Sequence, residues 1–427
     1  MTGHMQKDGG ALRRRFPLFL SVAVAGVMLS ANLFAAETAP PPPGATLESL
    51  LEVAHRLSPT LKAAALETSA AAARADRADA LDDPTLSLQT MQVPGHMAGM
   101  DQTTILLQQE FPLWGKRDLR KSAALAMLDA ARGDEKATAA ELDEKIALAF
   151  AAYWKATRGL AINVEATQVA ADMVKITRTR FSQGVATSAD LLSTEADATR
   201  AALERVRFER ERRTAIAQIN LLLARPASAT LSEPRGLQPL PTPLPMIEAL
   251  MDRARTTNPV LLAGAARVRS AEAEEELARK SWYPDLTVGA GPQTNFGAWG
   301  YAASIGIKIP LQRGAKESGE AEAAASLGAA RARLAASEAE LEGDLTSALA
   351  ALEAAEAMDT ARRGTLAPEA TAFYRAALAE YASGRGDLIS TLDAVHRLHQ
   401  SELELLDTEM EGQAALARIE RLLGARL

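Results

Sequence analysis

Leu47-Glu-Ser-Leu-Leu-Glu-Val-Ala-His-Arg-Leu-Ser-Pro-Thr-Leu61 recurs without a gap as Ile247-Glu-Ala-Leu-Met-Asp-Arg-Ala-Arg-Thr-Thr-Asn-Pro-Val-Leu261. The correspondence continues along the chain. Pro84-Thr-Leu86 answers Pro284-Asp-Leu286, Phe111-Pro-Leu113 answers Ile309-Pro-Leu311, Phe181-Ser-Gln-Gly184 answers Tyr381-Ala-Ser-Gly384, and Leu222-Leu223 answers Leu422-Leu423. A period of about 200 residues is too long for a solenoid, whose units run about 20–50 residues. The chain is a domain-sized unit written twice, over 46–225 and 246–427. Between them, 226–245 carries Pro226, Pro234, Pro239, Pro241, Pro243 and Pro245 and reads as a plain linker.

Each unit opens with a helical stretch, 46 to about 82 and 246 to about 281, rich in alanine with apolar residues three and four apart. Pro84 and Pro284 mark its end, because proline cannot sit inside a helix. Alternation of period two follows. Leu86 and Leu88 interleave with Thr85, Ser87 and Gln89; Ile105, Leu107 and Phe111 with Thr104 and Gln108; Tyr301, Ile305 and Ile307 with Ser304, Gly306 and Lys308. Such alternation predicts strands with one apolar and one polar face. Loops at 93–101 and 291–300 turn each pair into a hairpin. The segments 115–183 and 315–383 then have no internal proline but Pro368 and predict helices about 100 Å long at about 1.5 Å per residue. Gly184 and Gly384 end them, and a returning helix completes each unit.

Arg13, Arg14 and Arg15 precede an apolar run from Phe16 to Leu33 that closes on Ala35 and Ala36. Residues 1–36 therefore read as a secretory signal peptide, followed by a proline-rich loop at 37–45. The exit lacks a clean A-x-A. The rival reading is a retained anchor, for which the run is short. No cysteine occurs, which excludes disulfides, thiolate zinc sites and a lipid on an N-terminal cysteine. A net charge of −7 gives no basic footprint for nucleic acid. No nucleophile–base pair, phosphate-binding glycine loop or carboxylate dyad recurs, so an enzyme is not expected and no cofactor is implied.

Two hairpins alone are marginal in water, and closure into a barrel removes their edges. Trp114, Trp282, Tyr283 and Trp299 flank the strands, as aromatics flank the lipid-facing band of an outer-membrane barrel. With four strands per chain, several chains must build it. Glu110 and Lys308 fall on polar strand faces and are expected to face a wet lumen, since lysine facing lipid near the bilayer centre costs about 2–4 kcal/mol.

In this order and twice over, the helix–hairpin–long helix–helix unit, the strand exit Gln109-Glu-Phe-Pro-Leu-Trp-Gly-Lys-Arg117 and the two aromatic-x-x-Gly turns, with Leu392-Asp-Ala394 after the second, resemble the TolC family of outer-membrane efflux channels. The exit motif looks closest to its heavy-metal branch. The resemblance implies a mainly α fold with β that trimerises into a twelve-stranded outer-membrane β-barrel and a periplasmic α-helical tunnel. It implies a passive channel of a tripartite system, whose partners are a periplasmic adaptor, an inner-membrane pump of the resistance-nodulation-division type and outer-membrane lipid. It places adaptor docking at Phe181, Gly184, Val185, Ser188, Tyr381, Gly384 and Arg385. It places a periplasmic gate at Asp393, with Ser390 where the family has a further aspartate and Asp190 at the equivalent place in the first unit. No resident metal is implied. His96, Met97 and Met100 of the first outer loop have the donor types a soft cation prefers, and His396 and His399 lie three apart on one helical face. The competing reading is a periplasmic coiled-coil scaffold or adaptor without a channel, against which the duplicated strand hairpins stand.

Overall fold

The computed structural model describes residues 42–92, 101–295 and 298–427. The leader, most of the 37–45 loop, and His96, Met97 and Met100 lie outside the described residues. The first unit runs α1 (Leu47–Leu57), α2 (Pro59–Arg77), β1 (Thr85–Gln92), β2 (Asp101–Phe111), α3 (Lys116–Ser182) and α4 (Ser188–Leu222). The second runs α5 (Ile247–Thr257), α6 (Pro259–Lys280), β3 (Asp285–Asn295), β4 (Ala298–Lys308), α7 (Arg313–Ala361), a π-helical turn (Arg362–Leu366), α8 (Ala367–Ala382) and α9 (Leu388–Leu423).

The opening helical stretch of each unit is two helices, not one. Proline disfavours the α conformation of the residue before it, so Ser58 and Asn258 turn extended, with ψ 120° and 119°. Both then cap the next helix: Asn258 Oδ1 accepts from Leu261 N at 2.8 Å. The second helices end at Arg77 and Lys280, several residues before Pro84 and Pro284. Most of the expected 291–300 loop is strand, because β3 and β4 pair from Asp285↔Lys308 to Asn295↔Ala298.

The four strands form one antiparallel sheet in the order β1-β2-β3-β4. The helices carry the core. Leu142, Ile146, Phe150 and Tyr153 of α3 pack with Leu50 and Ala54 of α1 and with Ile219 of α4. The second unit repeats this with Leu341, Leu345, Leu349 and Leu352 of α7, Leu250 and Ala254 of α5, and Ile419 of α9. The 226–245 segment is more than a linker: Leu231 and Leu237 pack against the first core, Leu240 and Leu244 against the second.

Comparison of the two cores locates a one-residue insertion. From Leu142 to Tyr153 the buried positions of α3 recur in α7 with an offset of 199, whereas the turns Gly184 and Gly384 are offset by 200. The π-helical turn lies between these levels and absorbs the extra residue, as a single-turn π-bulge does. Pro368, the second residue of α8, comes just after it, in a first helical turn where a missing N–H is best tolerated.

Candidate functional site

Register fixes what each sheet face carries. Leu86 pairs with Leu107, Leu107 with Ala290 and Ala290 with Ala303; Leu88 pairs with Ile105; Val288 pairs with Ile305, Leu286 with Ile307 and Pro292 with Tyr301. Cross-strand partners share a face, so these rungs make one apolar face. It is bare: Leu88 is 69% exposed, Ile305 78% and Tyr301 95%. The other face carries Ser87, Gln89, Thr104, Gln108, Glu110, Thr287, Ser304 and Lys308. Lys308 Nζ and Glu110 Oε1 meet there at 3.2 Å. A soluble sheet buries its apolar face. This one turns it outward, and β2, β3 and β4 have the eleven residues a bilayer-crossing strand needs, about 9–11. Among the described residues, no helix is long and apolar enough to cross a membrane.

The aromatics divide. Trp299 is exposed on the apolar face at the hairpin end. Trp114 and Tyr283 lie together at the helix end, ring centroids 5.3 Å apart. Trp282 departs from expectation: it is half-buried, with Nε1 donating to Glu320 of α7 at 2.8 Å, and anchors two helices.

Where strands meet helices, the two units are tied by residues that pattern reading missed. Lys116 is 5% exposed, and its ammonium donates to both Asp285 oxygens at 2.8 Å and to the Tyr283 carbonyl at 2.9 Å. Leu113 N donates to Asp285 Oδ1 at 3.1 Å, and Trp114, held at φ +64°, donates its Nε1 to the Pro284 carbonyl at 2.8 Å. The strand-exit motif is thus a junction between units. Its sequence signal was the Lys116 that follows Trp114-Gly115, with no lysine in the corresponding place of the second unit.

At the far ends of the long helices, Gly184 and Gly384 both take φ +74°, which glycine adopts without the steric cost of a Cβ. Val185 N returns to the Arg180 carbonyl at 2.9 Å and Arg385 N to the Glu380 carbonyl at 3.0 Å, a 6→1 closure. Phe181, Val185, Ser188 and Arg385 are exposed. Tyr381 is not. It is 3% exposed, packed with Met173 and Leu388, beneath the Arg180 guanidinium at 4.5 Å. Arg180 Nη1 also donates to the Tyr381 carbonyl at 3.0 Å. Tyr381 therefore joins the two helical hairpins and presents nothing to a docking partner, a correction to its expected role. The two aromatics differ because Arg180 covers Tyr381, whereas Phe181 faces outward on its own hairpin.

The expected gate residues separate as well. Asp190 closes a capping box, its Oδ2 accepting from Thr187 N at 2.7 Å and its N–H donating to the Thr187 hydroxyl at 3.1 Å. At the second tip Asp387 is the cap, without the reciprocal bond: Ser390 N donates to Asp387 Oδ1 at 2.6 Å and the Ser390 hydroxyl to Oδ2 at 3.0 Å. The amide hydrogen bond from Ser390, then its hydroxyl, hold the Asp387 carboxyl below its ordinary affinity for protons. Asp190 and Ser390 are helix-capping residues; Asp393, half-exposed and 2.8 Å from Arg397, is the one that stands clear of the cap. His396 and His399 do not converge: His399 Nε2 meets Glu204 at 2.9 Å and His396 Nε2 lies 3.8 Å from Asp197. Among the described residues no three His, Cys, Asp or Glu side chains come together as metal ligands.

The sequence matches the family described as outer membrane efflux protein over residues 50–225 and 250–425. It is 24% identical over 424 residues to the cobalt-zinc-cadmium resistance protein CzcC of Cupriavidus metallidurans, covering 95% of this chain and 99% of that protein. Among solved structures, the outer-membrane channel OprN superposes with a TM-score of 0.78 at 19% identity, covering 89% of this chain and 90% of that one. The outer membrane protein VceC of Vibrio cholerae superposes with a TM-score of 0.76 at 20% identity, covering 89% and 96%. A bare apolar sheet face, two long helical hairpins and a match across both repeats agree, and the chain belongs to the outer membrane efflux protein family.

Proposed function

We propose that three copies assemble into a closed twelve-stranded barrel continued by a helical tunnel, and that this duct passively conducts cargo delivered by an inner-membrane pump through a periplasmic adaptor. The observation that carries the reading is an unpartnered seam on α4. Leu192, Ala196, Thr199, Leu203, Val206, Arg210, Arg213 and Ala217 alternate four and three residues apart, the spacing by which helices pair. Leu203 is 66% exposed and Val206 62%. In α9 the corresponding Leu392, His399, Leu403, Leu406, Met410, Gln413 and Ala417 are buried or half-buried, and only His396 of that seam is exposed. Within the chain, the second unit's α9 packs along the first unit's α3. The duplicate contact needs a first unit's α4 and a second unit's α7 and α8, and the free copies belong to different chains. Such a heterologous contact generates a ring. Charge favours it: α7 carries seven carboxylates and no lysine or arginine between 334 and 361, while α4 between 204 and 213 carries five arginines against three glutamates. The sheet's outer strands, β1 and β4, have edges that the same ring would pair.

In this reading Glu110 and Lys308 line the lumen, Trp114, Tyr283 and Trp299 sit at the lipid boundaries, and Phe181, Gly184, Val185, Ser188, Gly384 and Arg385 form the adaptor-facing tips. The cargo is a divalent metal cation, by likeness to the cobalt-zinc-cadmium resistance protein.

Native mass and planar-bilayer conductance of the detergent-purified protein test this together. A trimer with cation-preferring conductance is expected. Leu203→Glu with Val206→Glu, which sets two carboxylates against the acidic α7, should abolish both. A wild-type monomer, or a double variant that stays trimeric, would refute the seam. Asp393→Ala should raise single-channel conductance by removing a ring of charge at the narrow end; unchanged conductance and ion preference would dismiss the gate.

A further inference from the structure

The two units of one chain meet along their helices, and the duplication shows what a second such meeting needs. α2 packs on α3, α3 on α6 and α6 on α7. At the junction of the units, Arg267 of α6 reaches Asp134 of α3 at 2.5 Å. A Cβ built on Gly133 of α3 would lie 2.8 Å from that of Ala263, which is wholly buried. The equivalent positions follow from matched buried residues. Ala71 and Ala271 fix an offset of 200 for α2 and α6, and Leu128 and Leu327 an offset of 199 for α3 and α7. Ala63 and Ala332 therefore stand for Ala263 and Gly133, and Glu67 and Arg333 for Arg267 and Asp134. All four of these equivalents are exposed within the chain. Leu66 of the same α2 face is 60% exposed where Ala266 is 1%.

We propose that Glu67 of one copy pairs with Arg333 of the next, and that this contact, reversed in polarity against Arg267–Asp134, dictates that first and second units alternate. It rests on the ring of copies above, in which a free α7 meets the α2 of a neighbour. Charge admits that order alone. A first unit beside a first unit would set Glu67 against Asp134, two carboxylates; a second beside a second would set Arg267 against Arg333, two guanidiniums. Another pair of positions agrees. Within the chain, Arg421 of α9 pairs with Glu144 of α3 at 2.8 Å. Their equivalents are Leu221, 76% exposed, and Gly343, on which a Cβ would meet nothing within 4 Å. Leucine fits the space over a glycine. Set against Glu144 it would cover a carboxylate without a cation, and Gly343 would offer Arg421 no partner. The junction within a chain is thus ionic at both levels, and the junction between chains is ionic with the signs exchanged at one and apolar at the other. Neither repeat shows this by itself, since Arg267 and Asp134 lie 133 positions apart.

The cysteine-free chain allows a direct test. Two Cβ atoms facing each other as those of Ala63 and Ala332 would stand within the span a disulfide bridges, about 3.5–4.5 Å. Ala63→Cys with Ala332→Cys in the detergent-purified full chain should give a covalent trimer on a denaturing gel without reductant. Within one chain α3 and α6 stand between α2 and α7, so the bond cannot form there. Adding Glu67→Arg should lower the cross-linked yield by about tenfold or more, and adding Arg333→Glu to that variant should restore it to within about twofold. Recovery by the second reversal separates pairing from a mere loss of folding. A cross-link indifferent to Glu67→Arg, or a loss that Arg333→Glu does not recover, would overturn the pairing. A trimer by native mass that gives no such cross-link would overturn this contact and leave the ring standing, whereas a wild-type chain that stays monomeric would overturn both.

Discussion

Gly291→Val should cost the protein its sheet, with the chain degraded or aggregated in cells. β2 and β3 pair at Thr104↔Gln293 and again at Leu107↔Ala290, with Gly291 and Pro292 facing Ile105 and Leu106 between. Pro292 has no N–H to give the ladder, and a Cβ built on Gly291 overlaps the Ile105 carbonyl oxygen. Backbone cannot move aside as a flexible side chain can. The substitution would push apart two central strands that pair about 4.8 Å from each other. Overpacking against flexible neighbours costs about 1–3 kcal/mol, and backbone overlap should exceed that. Gly300→Val is the control, since a Cβ on Gly300 of β4 meets nothing within 4 Å. Equal loss in both variants would show that strand glycine is needed for flexibility, not for close approach.

Lys116→Met should destabilise the fold by about 3–5 kcal/mol, the usual cost of removing one partner from a buried ion pair. All three protons of the ammonium are used, and no other cation is placed to serve Asp285 in its stead among the described residues. The loss arises mostly from the carboxylate left behind. Lys116→Met with Asp285→Asn should therefore recover much of it, because the amide oxygen still accepts from Leu113 N. A urea titration of the protein refolded in lipid vesicles reads both. A double variant no better than the single one would mean that Lys116 acts through the Tyr283 carbonyl instead.

Much of the architecture was legible in the residues. The duplication, the two hairpins, the glycine turns and the division of each strand into apolar and polar faces all rest on local patterns: period two, three-four spacing, and Gly and Pro at breaks. Boundaries were read less well. The break at Ser58 and Asn258 is also a local effect, of the following proline, but alanine-rich helix propensity on both sides masked it. Trp282 was assigned to the lipid boundary from its nearness to a strand, and the structure turns it toward Glu320.

The site residues were harder. Phe181 and Tyr381 look alike in sequence, yet one is exposed and the other lies beneath Arg180. Asp190 has the composition of a gate and the geometry of a cap. Lys116 with Asp285, and His399 with Glu204, join residues 169 and 195 positions apart, and no periodicity speaks about such pairs.

The sequence alone determined the repeat, the element types and the solvent each sheet face prefers, because side-chain period and backbone-restricting residues act within a few positions. Only the tertiary structure decided which of two equivalent residues is covered, which carboxylate is occupied and where the hairpins are tied. Those outcomes depend on which helix of one repeat lies against which helix of the other, and two repeats built on one pattern encode that choice in no local signal.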